Sequence, residues 1–375
     1  MNLAILRRFD WPLLFSAVSI SFLGILVFYS LGLYSGNFAS FQKQILFLIG
    51  GIFVAILLSL LDFRAIKESP LFVFSLYFLG VLLLLGLFFF GAEIKGVSRW
   101  YLLGNFTFQP VEFMKIILIL VFAKYFSARH VEMYHKNHII VSAIYALFPA
   151  FLVFLQPDFG SAFMLVLLWL AMMLVSGIKR KHLFIMIALA LISGFVLWNF
   201  LLADYQKERI STFLEPYVTP QKTYLDPEGE GYHIMQSTIA IGSGGIWGKG
   251  FLEPYTQAKL GFLPEAETDF IFATYIEMFG LFGLVILFLL LLFFFLRLIN
   301  VALVAGDNFS RLLVSGFMVL IAGSVLINIG MNVGLLPITG LPLPFLSYGG
   351  SSILSLFVGI GIIQSIKVHT PEKII

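Results

Sequence analysis

Cysteine is absent from the 375 residues of this chain, and charged residues make up only 11% of it. The absence of cysteine excludes disulfides, thiolate catalysis and cysteine-ligated metal sites, but it does not identify a compartment. A soluble domain holds about 25% charged residues, so the scarcity of charge argues against that class. The net charge of +3 is small and the basic residues are scattered, which gives no support for a nucleic-acid partner. The six histidines show no H-E-x-x-H or similar metal-binding spacing.

Long apolar runs take the place of the missing charge. Hydrophobic residues make up 60% of the chain, the mean hydropathy is +1.00, and this length has room for roughly ten spans of about 20 residues. Arg7 and Arg8 precede the first run, which is longer than a signal-peptide core and lacks a cleavage site, so we interpret it as an uncleaved span. The sequence predicts an all-α polytopic membrane protein that forms one domain over residues 1–375. The ten predicted spans are Trp11–Leu33, Phe41–Leu61, Pro70–Phe90, Pro110–Phe126, His138–Leu155, Phe159–Ser176, His182–Leu202, Asp269–Ile299, Phe309–Val333 and Phe345–Ile366.

The distribution of lysine and arginine predicts the orientation. Cytoplasmic loops carry an excess of these residues, and with the N-terminus inside, the short outer loops hold only Lys95 and Arg99. Both termini are therefore predicted to be cytoplasmic, with one large extracytoplasmic loop, 203–268, before the eighth span. The basic residues that fall inside are Arg7, Arg8, Arg64, Lys67, Lys124, Arg129, Lys136, Lys179, Arg180, Lys181, Arg297, Arg311, Lys367 and Lys373.

An acidic stretch, GFLPEAETDFIFATYIEMFG, organises the chain. It carries Glu265, Glu267, Asp269 and Glu277 and runs straight into the apolar residues 281–296. A carboxylate at the edge of the hydrocarbon is costly when it is unpaired, so a carboxylate there usually has a function. A second interpretation stays open, in which Thr268 caps the eighth helix and Asp269 is a first-turn acid that favours the helix dipole.

A glutamate and a lysine enter the fourth predicted span together. Glu112 and Lys115 lie three residues apart and hence on one helix face. An ion pair entering the bilayer is expensive and indicates a polar cavity. Pro110 at the first helical position and Glu112 at the third also fit a helix cap, which would account for Glu112 but not for Lys115.

Three other residues of the outer loops stand out from their surroundings. Arg99 departs from the positive-inside bias and is expected to meet an anionic group, while Trp100 fits either a site or an interface anchor. Asp158 is well placed as the N-cap of the sixth span.

Glycine and proline mark two further outer segments. The run IGSGGIWGKG in the large loop is similar to a phosphate-binding turn, but it lacks the GKS/T ending, so we reject a nucleotide site. Residues 235–241 are predicted to lie along the membrane surface or to dip into it. In the last outer loop, Asn328 and Asn332 present amides on one face, beside backbone that is tolerated at membrane depth only when protein or water surrounds it.

Five motifs occur together along the chain. They are RWYLLGNFTFQPVEFMK, QPDFGSA, the ERISTFLEP to GYHIMQSTIAIGSGGIWGKG loop, FLPEAETDFIFA and GLLPITGLPLPFLSYGGSS. In this order they resemble the signatures of the bacterial shape, elongation, division and sporulation (SEDS) membrane proteins, and the TQAKLGFLPE form is more like the elongation members. The chain departs from the family pattern at Glu267, where a histidine is common, and at Val111, where a serine is usual.

The resemblance implies a peptidoglycan glycosyltransferase of the bacterial cytoplasmic membrane. Its substrate would be lipid II, its site would face outward, and a class B penicillin-binding protein would be its transpeptidase partner. Asp269 matches the essential aspartate of the family motif and could act as a general base. The leaving pyrophosphate needs cations, either side chains or a divalent Mg or Mn ion, for which Asp269 and Glu112 are candidate ligands. The residues expected to support Asp269 or to bind substrate are Glu112, Lys115, Trp100, Arg99, Arg209, Asp158, Gln257 and Glu265.

Two other functions compete with the enzyme hypothesis. A protein of ten spans with a charged cavity could move lipid II across the membrane, or it could be a scaffold for other proteins. Most of the unusual polar residues lie in outer segments, as catalysis there requires, whereas the inner ends of the spans look ordinary. A scaffold would not need Glu112, Lys115 and Asp269 at the membrane edge.

Overall fold

A computed structural model describes residues 8–63, 68–94, 97–104, 106–128, 136–178, 181–182, 199 and 230–370. Ten helices and three short strands make up this part of the chain. They are α1 (Trp11–Ser35), α2 (Ala39–Ser59), α3 (Pro70–Phe90), β1 (Ala92–Ile94), β2 (Val97–Leu103), β3 (Phe106–Phe108), α4 (Pro110–Ala128), α5 (Lys136–Leu155), α6 (Phe159–Val175), α7 (Glu230–Ser243), α8 (Ile271–Val304), α9 (Asn308–Asn332) and α10 (Gly350–His369).

Most of these helices are long and apolar. Seven of the described helices are long and apolar enough to cross a membrane. They are α1, α2, α3, α5, α8, α9 and α10. Two further helices, α4 and α6, also coincide with predicted spans but do not meet this description. Helix α4 carries Glu112, Lys115 and Lys124, and α6 has only 17 residues. The predicted seventh span, His182–Leu202, lies almost wholly outside the described residues, as do residues 203–229 of the large loop. The protein is a mostly helical, multi-pass membrane protein, and ten spans remain a prediction.

The segment between α3 and α4 forms a small β-sheet, so the all-α prediction is wrong there. Strands β1, β2 and β3 form an antiparallel sheet in that order, with Leu103 opposite Phe106. Gly104 begins the two-residue connection with a φ of +61°, which suits glycine in a tight hairpin. Valine, tryptophan, tyrosine, threonine and phenylalanine favour strands, but runs of three to seven residues are too short to stand out beside long apolar helices. The Tyr101 hydroxyl donates to the Leu83 carbonyl at 2.7 Å and fixes the sheet to α3.

Helix α8 is interrupted, which corrects the prediction of a continuous span. Gly280 has φ 64° and ψ −159° and divides α8 into Ile271–Phe279 and Leu281–Val304. The glycine-rich segment 244–250 lies against this break and supplies hydrogen-bond partners that the interrupted helix lacks. The four hydrogen bonds are Lys249 N to Glu277 O (2.8 Å), Gly250 N to Met278 O (3.1 Å), Leu281 N to Gly245 O (2.9 Å) and Phe282 N to Ile246 O (3.0 Å).

The backbone of residues 244–250 approaches that of α8 so closely that only glycine fits at the points of contact. A Cβ on Gly280 would lie 2.3 Å from the Gly248 nitrogen, and one on Gly244 would lie 2.3 Å from the Ile276 carbonyl oxygen. The run that is similar to a phosphate-binding turn therefore packs against a helix break.

The helices pack into a bundle around one large apolar core. Helix α10 lies along α2, α8 along α1, and α9 along α4, while α7 packs against α8 and α9. Whether α7, which contains residues 235–241, lies at a membrane surface stays a prediction. The end of the bundle at which α4, α6, α8 and α10 begin is termed the Asp269 end.

Candidate active site

Asp269 does not belong to the helix that follows it. Helix α8 begins at Ile271, its N-cap residue is Phe270, and no side chain caps it. The Thr268 hydroxyl donates instead to the Glu265 carboxylate at 2.9 Å. The interpretation of Thr268 as an N-cap and Asp269 as a first-turn acid is therefore wrong, because the chain turns into the helix two residues later.

Two asparagines of α9 hold the main chain at Asp269. The side-chain amides of Asn328 and Asn332 donate to the Asp269 carbonyl at 3.0 and 2.9 Å. The Asn332 side-chain oxygen accepts the Ala273 N–H at 3.1 Å, which satisfies a donor in the first turn of α8. Both asparagines are fully buried, whereas Asp269 is only partly buried. The predicted pairing of the two amides on one face is confirmed, and it fixes the backbone from which the Asp269 carboxylate projects.

The loop before α10 holds the same segment from the other side. The Ser347 hydroxyl donates to the Thr268 carbonyl at 2.7 Å, and Tyr348 N donates to the Glu267 carbonyl at 2.8 Å. Burial raises the pKa of the Tyr348 hydroxyl, and the nearby Glu267 carboxylate raises this pKa further. The Tyr348 hydroxyl is therefore neutral at pH 7.

Gly340 brings that loop close to the Asp269 carboxylate. A Cβ on Gly340 would lie 3.8 Å from Asp269 Oδ2, and its φ of +72° is one that residues with side chains rarely adopt. The carboxylate therefore faces backbone at this point.

Glu112 and Lys115 form a buried pair at the start of α4. Lys115 Nζ lies 2.6 Å from Glu112 Oε1, and the residues are 3% and 5% exposed. The predicted contact between them is confirmed. Within the described part of the chain, each side chain hydrogen-bonds only to the other. An ammonium has three donors and a carboxylate about four acceptor positions, so the described residues leave most of the capacity of this pair unused.

Asp158 is the N-cap of α6, as predicted. Its Oδ1 accepts the Ser161 N–H at 3.1 Å. The same carboxylate lies 3.7 Å from the Arg99 guanidinium and 3.4 Å from the Gln109 side-chain nitrogen. Asp158 therefore joins the strand β2 and the start of α4 to the start of α6.

The donors of Arg99 are directed at one turn of the chain. Its Nε donates to the Gln156 carbonyl at 3.3 Å, and its terminal nitrogen donates to the Pro157 carbonyl. Arg99 thus braces the turn before α6, and its role toward an anionic substrate stays a prediction. Trp100 follows in β2, paired with Ala92 and half-buried.

Several contacts gather these groups at one end of the bundle. A Cβ on Gly160, near the start of α6, would lie 2.2 Å from the Thr339 carbonyl, which adjoins Gly340. The Ser351 hydroxyl of α10 accepts the Gln109 N–H at 2.9 Å and donates to the Thr107 carbonyl at 3.2 Å. Asp269, Asp158 with Arg99, and Glu112 with Lys115 therefore share the Asp269 end.

Glu265 and Gln257 lie in the turns before Asp269. The Glu265 side chain is exposed, and its carbonyl accepts the N–H groups of Thr268 and Phe270, both at 3.1 Å. Gln257 N donates to both oxygens of Glu277 at 2.9 Å. The Gln257 side-chain oxygen is buried and has no hydrogen-bond partner among the described residues. Arg209 lies outside the described residues.

Glu277 is a residue to which the sequence assigned no role. It is fully buried, and its carboxylate lies 2.7 Å from Lys249 Nζ. The two residues are 28 positions apart, and no periodic spacing connects them. In the sequence, only its position just before a long apolar run distinguishes it.

The described residues offer no preformed cage for a metal ion. No group of three or more histidine, aspartate or glutamate side chains there is suitably arranged. Lys115 also occupies one oxygen of Glu112. Two cavities, of about 410 and 220 Å³, are lined by residues such as Lys124, His138 and Arg311 at the opposite end of the bundle.

Comparison with known proteins gives consistent matches along the chain. Residues 11–372 match the family model of the FtsW, RodA and SpoVE cell cycle proteins. Peptidoglycan glycosyltransferase MrdB of Escherichia coli (strain K12) is 40% identical over 296 residues, which cover 78% of this chain and 77% of MrdB. The solved structure of a peptidoglycan synthase complex that coordinates polymerization and crosslinking contains a chain with 30% identity and a TM-score of 0.78, and the match covers 96% of this chain and 97% of that one. The rod shape determining protein RodA of Thermus thermophilus has 28% identity and a TM-score of 0.70, over 97% of this chain and 98% of its own.

Proposed function

The chain belongs to the family of the FtsW, RodA and SpoVE cell cycle proteins, the SEDS family, and we propose that it is a peptidoglycan glycosyltransferase that polymerises lipid II into glycan strands. The names of its relatives support the activity, and the similarity to MrdB and RodA supports a role in cell elongation and the maintenance of cell shape.

One observation carries the proposal for the site. Two asparagines hold the main chain at Asp269, whose side chain is partly exposed, and a buried ion pair lies at the same end of the bundle. The described residues leave part of the hydrogen-bonding capacity of this pair unused. In the proposed reaction the acceptor hydroxyl attacks the anomeric carbon of a lipid-linked sugar. Its proton passes to the Asp269 carboxylate. A glycosidic bond forms as the bond to the phosphate oxygen breaks, and undecaprenyl pyrophosphate leaves with the electron pair.

Lys115 is the proposed partner of the leaving group. The pyrophosphate gains negative charge as the bond breaks, and a fixed ammonium in a poorly hydrated site stabilises that charge strongly. Glu112 would hold the ammonium in place in the absence of substrate. Arg209, Trp100, Gln257 and Glu265 are further candidates for substrate contacts.

A divalent cation would enter this scheme with the substrate. Magnesium is commonly held by one or two carboxylates together with substrate phosphates rather than by a cage of protein ligands. Asp269 and Glu112 are the proposed ligands, and the cation would neutralise charge on the pyrophosphate. The roles given above to Asp269 and Lys115 do not depend on it.

We further propose that the site faces outward from the bacterial cytoplasmic membrane and that the partner is a class B penicillin-binding protein. The lysine and arginine distribution supports this orientation. The partner is supported by the similarity to a chain of a peptidoglycan synthase complex that couples polymerization to crosslinking.

Purified protein supplied with lipid II tests the proposed function, with and without a class B penicillin-binding protein. Glycan polymer is the expected product, and the partner should increase its rate. Passage of lipid II across liposomes without polymer would instead indicate a flippase. Neither polymer nor transport, from folded protein that binds the partner, would indicate a scaffold.

A further inference from the structure

Glu277 lies in the first half of α8, two turns after Asp269, and its carboxylate accepts hydrogen bonds from three groups. Oε1 accepts from Lys249 Nζ at 2.7 Å, Gln257 N at 2.9 Å and the Ser243 hydroxyl at 3.4 Å, and Oε2 also accepts from Gln257 N at 2.9 Å. The residue is fully buried. A carboxylate so enclosed is poorly placed to exchange protons with a substrate, but well placed to hold chain segments together.

One of those segments leads directly to Asp269. The Gln257 carbonyl accepts the N–H groups of Phe262 and Leu263 at 3.0 and 3.2 Å. The next turn is closed at the Glu265 carbonyl, which accepts the N–H groups on either side of Asp269. The chain from Gln257 to Asp269 is therefore a series of hydrogen-bonded turns, and Glu277 fixes its first residue.

The other segment is the glycine-rich one at the helix break. Lys249 is joined to Glu277 twice, because its side chain binds the carboxylate and its N–H binds the Glu277 carbonyl at 2.8 Å. Glu277 therefore connects three parts of the chain: the break at Gly280, residues 244–250, and the turns that carry Asp269.

We infer that Glu277 is a positioning residue for Asp269, acting through Gln257 and the turns that follow it. This inference rests on the proposed glycosyltransferase activity. A small misplacement of a reacting group, of about 1 Å, can lower a rate about 100-fold even when the change is far from the chemistry. Loss of the Glu277 charge should therefore lower turnover while the KM for lipid II stays nearly constant.

The chain offers a matched control on the same helix. Arg297, in the second half of α8, pairs with Asp10 at 2.6 Å, and the Asp10 side chain is as fully buried as that of Glu277. Glu277→Gln and Asp10→Asn each remove one buried charge from a pair of similar geometry. Both should lower the thermal unfolding midpoint, but only Glu277→Gln changes a contact that leads to Asp269.

Turnover and KM are measured on folded protein, together with hydrogen exchange of the main-chain amides of residues 257–270. For Glu277→Gln we expect turnover about 10- to 100-fold below wild type, KM within about twofold, and faster exchange in residues 257–270. Lys249→Arg keeps the positive charge and should retain most of the turnover, whereas Lys249→Met should resemble Glu277→Gln. Asp10→Asn should keep wild-type turnover per folded molecule and wild-type exchange in that segment.

Several results would overturn the inference. They are wild-type turnover from folded Glu277→Gln, an effect confined to KM, and an equal loss of turnover in Asp10→Asn. Exchange measurements do not depend on activity. If the wild-type protein makes no polymer, the proposed function fails, but unchanged exchange in residues 257–270 of Glu277→Gln would still refute the positional link by itself.

Discussion

Two ion pairs with buried carboxylates, at opposite ends of the bundle, differ in how many hydrogen bonds the carboxylate accepts. Asp10 receives two hydrogen bonds from Arg297, at 2.6 and 3.1 Å, and one from Leu13 N at 3.1 Å, while its main chain binds the Gln364 side chain. At the Asp269 end, Glu112 and Lys115 bind only each other within the described residues. The first pair ties the start of α1 to α8 and α10, whereas the second retains capacity for a ligand.

The difference shows that burial of charge does not by itself indicate a site. A buried pair is expensive in either place. A carboxylate such as Asp10, which accepts hydrogen bonds from two segments of the chain, has a sufficient explanation in the fold. A buried pair with unused donors is costly to remove from water, and the fold alone does not explain it. Such groups often bind a charged substrate.

The largest effect is expected from Asp269→Asn. General-base catalysis contributes about 100- to 10,000-fold, so polymer formation should fall to background. The fold should persist, because Asn328 and Asn332 bind the main-chain carbonyl, which the substitution leaves in place. Polymer yield and the unfolding midpoint are measured together.

A suitable control for Asp269 is Asp307, which caps α9 at the opposite end of the bundle through Ser310 N at 3.1 Å. Asp307→Asn should cost at most about 1 kcal/mol of stability and leave turnover unchanged. Full polymer yield from folded Asp269→Asn would show that Asp269 is not the base.

The next largest effect is expected at the unsaturated pair. Lys115→Met should lower turnover about 100-fold, because loss of one group that stabilises developing charge typically costs that much. Glu112→Gln should also lower turnover, since the lysine then loses its only partner in the described structure. Each single change leaves a buried charge unpaired, so the stability losses should not add in a double-mutant cycle. Additive losses would mean that the two residues do not interact.

The saturated pair should affect stability alone. Arg297→Met leaves the Asp10 carboxylate without its cation and should cost about 2 kcal/mol, below the value for a fully buried pair because the Arg297 side chain is 28% exposed. Turnover per folded molecule should remain that of the wild type. A drop in turnover without a drop in the unfolding midpoint would contradict the structural role.

The smallest effect concerns His233, a partly buried residue whose Nδ1 atom is buried. Its Nδ1 makes no hydrogen bond within the described residues. Burial lowers the pKa of His233, and the nearby Glu265 carboxylate opposes this shift only in part. Because the folded-state pKa lies below the unfolded value of about 6.5, protonation favours unfolding. The protein should therefore lose stability as the pH falls below that value and through the folded-state pKa.

Unfolding midpoints of the wild type and His233→Gln, measured from pH 8 to 5.5, check this expectation. The difference between the two proteins isolates His233, since their other titrating groups are the same. The wild type should fall further than the variant over this range. Parallel curves would show that His233 does not titrate differently in the folded protein.

Features that depend on local spacing could be predicted from the sequence. Glu112 and Lys115 share a helix face whenever residues 110–128 are helical, and Asp158 stands where an N-cap belongs. The spans follow from apolar length, and most helix ends lie within a few residues of the predicted ones.

Features that depend on distant segments could not be predicted. The α8 break at Gly280 is stable because residues 244–250 satisfy its backbone, and a glycine before an apolar run does not reveal that partner. The hydrogen bonds from Asn328 and Asn332 to Asp269 join residues about 60 positions apart. The three hydrogen bonds to the Asp10 carboxylate and the single one that the described residues give Glu112 are equally invisible in the sequence, because both depend on which helices meet.

The most direct test compares two double variants in one polymerisation assay with lipid II. Glu112→Gln/Lys115→Met removes the unsaturated pair, and Asp10→Asn/Arg297→Met removes the saturated one. We predict that the first loses nearly all turnover per folded molecule, whereas the second keeps wild-type turnover despite a lower unfolding midpoint. Equal turnover in the two variants, after correction for the folded fraction, would contradict the claim that unused hydrogen-bonding capacity marks the active end of this protein.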